Sequence, residues 1–440
     1  MADERVRILC TGDLHLGRRP SRVGAQQRAL SVEYVWDRVV ERAIDQSVDL
    51  VALTGDLVDR DNRFYEAAGA LERGMRHLAE AGIPAFAVAG NHDFDVLPRV
   101  IDTIESDHLH LLGRGGTWQS HLLERDGDPL LRLVGWSFPK EHVDRSPLDD
   151  LDADFATEHP AAPTVYLLHA DLDQKQSRYA PVASSELDDY RATAWLLGHI
   201  HRPQTHRTAS EALVLYPGSP QALDPGERGV HGPWIVEVGG ARRPRAHKLP
   251  LATVRYRQLT IGLDGVETPE DFERTATEQM RRDLDEITDG AGDLRRVVYR
   301  LELKGRTPLH RKLDELAERL SDRLQLDFDG GRTSVDRVLV ATRPTVDLEE
   351  VARGHDPPAV LARLLLELDS GQLADENRSL VKNVRRGLDK LRQVNAFGPL
   401  RAAEAEDERP DDRTARRLLF DEGLRLLDEL LAQKRGEVAQ

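Results

Sequence analysis

Cysteine is almost absent from this sequence: Cys10 stands alone among 440 residues, beside three methionines and 5% aromatic side chains. A single cysteine excludes an internal disulfide and any zinc site built on thiolates. Within the apolar run VRILC it is expected to be a buried, inert thiol. Lysine is scarce too, supplying eight of the 61 basic residues, with Arg supplying the rest. No stretch reaches the roughly 18 consecutive apolar residues of a membrane span, so no membrane partner is expected. Met1 to Arg7 is charged and leads directly into VRILC, a start without an apolar leader that predicts a cytoplasmic protein. Positive charge is in the minority: 77 acidic against 61 basic residues give a formal net charge of −16. A uniformly basic nucleic-acid-binding surface is thereby excluded, whereas a local basic groove is not.

The length suits two or three domains, each with its own core. From residue 6 to about 240, the runs VRILCTGD, DLVALTGD, AFAVAGNHD, LRLVGWSF, TVYLLHAD and TAWLLGHIH are continuously apolar and end in polar residues, as strands buried on both faces do. Val32 to Gln46 and Phe64 to Ala81 have helical spacing. This alternation predicts a layered α/β domain over residues 1–245, with ligands just beyond the strand ends. After WIVEV and the turn-like GGARRPR, the runs TVRYRQLTIGL and RRVVYRLELKG read as strands flanking a helix at Pro269–Thr288, with another helix at Leu309–Leu324. Together they predict a small α+β domain over 250–345. Residues 355–440 are helical and highly charged, interrupted by GQLADENRS and by the acidic EAEDERPDD.

Polar residues collect where the first strands end: Asp13 and His15 in GDLHLG, Asp56 in GDLVD, Asn91 and His92 in GNHD, His169 in LLHAD, His199 and His201 in GHIH. Each alone is compatible with a turn or a solvated strand end. Five such ends presenting oxygen and imidazole donors, four of them directly after a glycine, point jointly to metal. Without thiolate the donors suit Mn²⁺, Mg²⁺, Fe²⁺ or Zn²⁺. The set has the composition of a two-metal hydrolytic site, in which cations roughly 3.5–4 Å apart share a carboxylate and present hydroxide in line to phosphorus. A strand ending at Gly is expected to put Asp13 and His15 on one side, two residues apart, for a single metal.

The series GDLHLG, GDLVD, GNHD, LLHAD and GHIH resembles, in that order, the calcineurin-like metallophosphoesterase superfamily across residues 7–240. The opening D-x-H-x-G and the stretch YPGSPQALDPGERGVHGPWIVEV are similar to its DNA-repair exonuclease branch, which includes the bacterial SbcD-like nuclease subunits. The resemblance implies a four-layer α/β/β/α sandwich with a small α+β capping domain and a helical tail. It implies two divalent metal ions, Mn²⁺ foremost, one held by Asp13, His15, Asp56 and His201. Asp56 would bridge to the second, held also by Asn91, His169 and His199, and His92 would be the acid at the leaving oxygen. Asp59 stands where archaeal and eukaryotic members have His and many bacterial members an acid, and is expected to orient His92. GDLVDR is also similar to a protein phosphatase motif, but that family continues with Gly and uses GNHE where this chain has GNHD.

Arg18, Arg19 and Arg22 follow the first motif and Arg202 the last; Arg18 and Arg19 are the expected substrate contacts, touching strand phosphates without reading sequence. The terminal RRLLFDEGLRLLDELLAQKR aligns Phe420, Leu424, Leu427 and Leu431 on one helical face, with Leu419, Leu426 and Leu430 beside them. Such a helix can fold back on its own domain. The resemblance implies instead that it binds the coiled-coil base of an SMC-like (SbcC-type) ATPase, and the acidic tether Ala403–Asp412 favours docking. A homodimer is compatible with the resemblance. The expected function is a dinuclear-metal phosphodiesterase acting on DNA, the exonuclease of a repair complex. The alternative is a phosphatase or phosphodiesterase for a protein, nucleotide or other small substrate, using the same metals. A third reading, a binding subunit with a vestigial site, is disfavoured by the complete donor set.

Overall fold

The computed structural model describes residues 5–24, 27–59, 64–104, 106–152, 162–239, 243–288, 293–392 and 411–434. The expected tether at 403–410 and the centre of GGARRPR, 240–242, lie outside them. The chain divides into two compact units, residues 1–260 with 276–302 and 317–339, and residues 261–275 with 303–316 and 340–440.

The first unit is built on two six-stranded sheets. β1 (Val6–Thr11), β2 (Leu50–Leu53), β3 (Ala85–Ala87) and β4 (Leu109–Leu111) lie side by side and parallel. The chain then forms a second sheet from β5 (Gln119–Arg125), β6 (Asp128–Trp136) and β7 (Thr164–His169). The short pair β8 (Asp171–Leu172) and β9 (Pro181–Val182) precedes the rest of it, β10 (Ala194–Gly198), β11 (Gln204–Arg207) and β12 (Leu213–Tyr216). It returns to the first sheet through β13 (Trp234–Val238), antiparallel to β1, and β14 (Arg245–Lys248). The central strands are parallel in both sheets, which explains their unbroken apolar runs.

Alternation in β1 divides its side chains between two cores. Ile8 and Cys10 face the second sheet and pack with Leu133, Val165, Leu167 and Leu196. Leu9 faces the other way, into a core filled by α1 (Val32–Asp45), α2 (Phe64–Glu80) and α3 (Leu97–Thr103). In α1, Ser31 caps the N-terminus by accepting from the Tyr34 N–H, and Val32, Val35, Trp36, Val39, Val40 and Ala43 form the buried stripe. The outer face of the second sheet carries Trp136, Tyr166, Trp195 and Tyr216. Among the described residues it is covered by the 3₁₀ turns Pro147–Asp150 and Glu186–Asp189 and the loops around them rather than by long helices.

A third sheet has the order β15 (Val254–Gly262), β16 (Arg296–Arg306), β18 (Gly331–Arg343), β17 (Asp327–Phe328). α4 (Pro269–Thr288) follows β15, and the helix expected at Leu309–Leu324 is a 3₁₀ turn at His310–Lys312 followed by α5 (Leu313–Arg323).

The second unit contains α6 (Leu348–Ala352), α7 (Pro357–Ser370), α8 (Asp375–Arg392) and α9 (Asp412–Lys434). Asp356 caps α7, and Gly371, at φ 73°, ends it. α8 begins at Asp375, so GQLADENRS breaks the helical run over only a few residues. α9 packs against its own unit. Ala415 and Leu427 are buried with Ala362, Leu365, Leu368 and Val381 of α7 and α8, and Leu419, Phe420, Leu424 and Leu431 pack against that core. The buried carboxylate of Asp428 accepts from both Nη atoms of Arg306, at 3.0 and 2.9 Å. Lys434 reaches the cap residue Asp356 at 2.6 Å. Its own chain covers the apolar face in part: Leu427 is buried and Leu419, Phe420, Leu424, Leu430 and Leu431 are half-buried, while Leu426 and the adjacent Leu418 stay exposed.

Candidate metal centre

The polar strand ends of the first unit converge. Donor atoms of Asp13, His15 and His201 lie within 4.8 Å of one another, and so do those of Asp13, Asp56 and His169. His15 Nε2 is 3.0 Å from His201 Nε2 and 3.9 Å from Asp56 Oδ2. His169 Nε2 is 3.4 Å from Asp56 Oδ2 and 3.1 Å from Asn91 Oδ1, which is also 3.2 Å from His199 Nδ1. All seven side chains named as metal ligands thus meet in one place. His92 is exposed at its edge, its ring 5.0 Å from that of His15, and its backbone N–H donates to Asp56 Oδ1 at 2.9 Å. Asp59 is buried and its Oδ2 lies 3.4 Å from Arg18 Nε; Arg18 also reaches Asp224 at 3.4 Å. Arg19 lines a neighbouring cavity of about 380 Å³ together with Arg28 and Arg73.

The backbone achieves this differently from the sequence expectation. β1 ends at Thr11, and Asp13 and His15 are not two positions of one pleated strand but left-handed residues at φ 48° and 49°. Asp56 at φ 51° and His199 at φ 94° repeat the device. Asp and His are among the non-glycine residues that tolerate this region best. The preceding glycines answer to space. A Cβ on Gly90 would lie 2.2 Å from Asp56 Oδ1, and one on Gly198 would lie 2.0 Å from the Thr54 carbonyl and 2.6 Å from His169 Nδ1.

Three of the four candidate imidazole ligands have their outer nitrogen fixed. His201 Nδ1 is 2.8 Å from Glu227 Oε1, His199 Nε2 is 3.4 Å from Asp171 Oδ1, and His169 Nδ1 is 3.0 Å from the Thr54 carbonyl. Such partners fix the tautomer and the ring direction of a metal-binding histidine. Asp93, fully buried, accepts from the backbone N–H of Gly90 and Leu57, each at 2.7 Å, and so ties GNHD to GDLVD. The sequence reading missed Glu227, Asp171 and Asp93. Asp93 and Asp171 stand one and two residues after a singled-out histidine, a usable signal. Glu227 comes 26 residues after His201, with nothing local to mark it.

Burial raises the Asp13 carboxyl above its ordinary range, and burial together with the Asp56 charge pushes Asp93 up to about 7. Burial would also raise Asp56, but His169, with His15 and His92 beside it, outweighs burial and holds that carboxylate well down. Burial opposes charge on His169, yet Asp56 raises it to about 9. His15 is held far below the usual imidazole value by burial.

The residues fit a pair of cations. His15 Nδ1 is buried without a hydrogen-bond partner among the described residues, while its Nε2 faces the Nε2 of His201. Two imidazole nitrogens aimed at one another beside two buried carboxylates are an arrangement that a divalent ion satisfies. Cys10 takes no part: it is buried, and burial pushes its thiol up.

A parallel two-sheet sandwich with oxygen and imidazole donors massed at its strand ends defines a metal-dependent phosphoesterase domain. Residues 6–203 match the calcineurin-like phosphoesterase family, and the chain carries a domain of that family. Residues 256–343 match the middle domain of the metallophosphoesterase YhaO. An uncharacterized metallophosphoesterase YhaO of Bacillus subtilis (strain 168) is 27% identical over 203 residues, 46% of this chain and 48% of its own length. The DNA double-strand break repair protein Mre11 of Haloferax volcanii is 28% identical over 348 residues, 74% of this chain and 69% of that one. The D component of the SbcCD nuclease of Bacillus subtilis is 28% identical over 262 residues, 51% of this chain and 64% of that one. The chain therefore spans about half the length of the first of these relatives and about two thirds of the other two. Among the described residues no helix is long and apolar enough to cross a membrane.

Proposed function

We propose that this metallophosphoesterase is a DNA phosphodiesterase, the nuclease of a repair system. One observation carries the reading: the similarity to a protein named for double-strand break repair extends over 74% of the chain, well past the catalytic domain. Asp13, His15, Asp56 and His201 would hold one cation, and Asn91, His169 and His199 with the shared Asp56 the other, Mn²⁺ being the metal to test first. When bound, the cations supply an activated water and charge stabilisation at phosphorus. The protein's own groups do the rest. His92, exposed beside His15, donates a proton to the leaving oxygen, with buried Asp59 as its orienting acid. Glu227, Asp171 and the Thr54 carbonyl keep three imidazoles aimed inward, and Arg18 and Arg19 hold strand phosphates in register. The SMC-like ATPase partner belongs to this reading, and the exposed Leu418 and Leu426 of α9 leave that helix available to it.

The net charge of −16 favours a second reading, a small phosphodiester or phosphomonoester substrate handled by the same centre. Purified protein with Mn²⁺ on end-labelled linear DNA, beside bis-p-nitrophenyl phosphate and p-nitrophenyl phosphate, separates the two. Release of labelled nucleotides supports the nuclease. Turnover of the small esters with intact DNA gives the site to the second reading.

A further inference from the structure

A group of cations in the first unit has too few acids to match it. β15, the loop after Glu227 and the end of α4 enclose a cavity of about 450 Å³, walled by Arg228, Arg255 and Arg257 with Pro250, Tyr256 and Ile287. Glu286 is the one acidic residue among the described lining. Arg257 is already paired, its Nε donating to Asp283 Oδ1 at 2.9 Å. Arg228 and Arg255 make no ion pair among the described residues. Arg255 instead donates from Nη1 to the Ile287 carbonyl at 2.7 Å. Burial, and then the adjacent Arg257, hold its guanidinium below the ordinary value against a weaker opposing effect of Tyr299 and of Asp283, whose carboxylate is bound to Arg257. Lys248 is lowered by burial and then by Arg255; its Nζ donates to the Val230 carbonyl at 2.8 Å and lies 5.1 Å above the Trp234 ring.

A partly buried guanidinium without a carboxylate paired to it is unfavourable unless something else neutralises it. The chain is rich in acids, yet none pairs with Arg228 or Arg255 among the described residues. A phosphate suits this surplus of positive charge, because the planar guanidinium fork matches its oxygens. The apolar wall of Pro250, Tyr256 and Ile287 provides a surface for whatever carries that phosphate, and the volume lies in the range of small-ligand sites. We propose that the Arg228–Arg255 cavity binds a phosphate group other than the one hydrolysed at the metals, carried by a nucleotide or by a nucleic-acid strand. Arg228 directly follows Glu227, the partner of His201, and its backbone bridges to Tyr256. The anion site and the metal centre therefore share one loop. The inference goes beyond the nuclease reading, since it needs a phosphate and no particular reaction.

Arginine footprinting with phenylglyoxal on the full-length, Mn²⁺-loaded protein, read by mass spectrometry, tests it. The probes are dTMP and a short single-stranded oligodeoxynucleotide without terminal phosphates and with nuclease-resistant phosphorothioate linkages, checked to be intact after the reaction. Several-fold protection of Arg228 and Arg255 is expected; protection by dTMP alone assigns a free nucleotide, and protection by the oligonucleotide at lower concentration assigns a strand. Protection confined to arginines near the metals, such as Arg18, or reactivity unchanged by both probes, overturns the proposal while leaving the metal centre untouched. The variant Arg255→Gln is expected to keep its metal content and its hydrolysis of a small phosphodiester but to lose the protection at Arg228. Full protection of Arg228 in that variant would also overturn it.

Discussion

The Nε2 atoms of His15 and His201, 186 residues apart in sequence, face each other across 3.0 Å. Only His201 is steered from behind, by Glu227 at 2.8 Å, while the Nδ1 of His15 has no partner among the described residues. The pair is thus asymmetric, one ring held by an acid and the other by packing.

Glu227→Gln keeps the size of the side chain but removes the charge that aims His201. Partners of this kind are worth about 10–100-fold in metal affinity or activity. The variant is expected to bind Mn²⁺ correspondingly more weakly with the fold intact, as titration calorimetry beside circular dichroism will show. Unchanged affinity would remove Glu227 from the centre.

His92 sits outside the cluster of donor atoms and is exposed. A positioned acid contributes on the order of 10²–10⁴ in rate. His92→Asn should therefore retain both metals by elemental analysis and lose turnover by about that factor. Loss of a metal would make His92 a ligand instead.

Leu427 is buried against α7 and α8. Leu427→Ala is expected to destabilise the second unit by about 2–5 kcal/mol in urea unfolding. An unaffected transition would favour α9 as a tethered docking element.

His110 on β4 and His121 on β5 join the edges of the two sheets, their rings 4.8 Å apart and both 4.7 or 4.8 Å from Phe86. Burial holds both below the ordinary value of 6.5, with His121 and His108 lowering His110 further and Asp107 working in the other direction. The fold thus prefers them neutral, while the unfolded chain takes up protons once the pH drops below about 6.5. Stability is complete above that pH and is lost as the pH falls toward the folded values. Thermal unfolding of His121→Gln at about pH 7.5 and about pH 5 should show a smaller loss than wild type; an identical loss would discount this pair.

Much of the architecture could be read from sequence because parallel strands buried on both faces leave unbroken apolar runs. β1, β7 and β10 are of this kind, and their polar ends carry the donors. β5 could not, because QSHLLER is largely exposed and alternates irregularly along an edge. The side chains that converge were each named from the sequence, but the turn that brings Asp13 and His15 together was not legible: a two-residue spacing reads as a pleat, whereas the backbone is left-handed at both. α9 was ambiguous for another reason. A helix with a wide apolar face looks the same in sequence whether a partner or its own chain covers it; the fold buries Leu427 with Leu365 and Val381 and leaves Leu426 exposed. Arg306 and Arg343, the cations that meet Asp428, come from 122 residues or fewer upstream and leave no local trace.

The left-handed backbone at Asp13, His15, Asp56 and His199 has a thermodynamic side. Non-glycine residues held there cost of order 1–3 kcal/mol each, somewhat less for types that tolerate it, and the surrounding fold must oppose that tendency to relax. Cations that bind only the native arrangement add RT ln(1 + [M]/Kd) to the folding free energy, so loading and folding are linked equilibria. The same four residues that would grip the metals are then the places where the chelated protein should open first, and their amides should be the first in the sandwich to exchange with deuterium when the metals are removed.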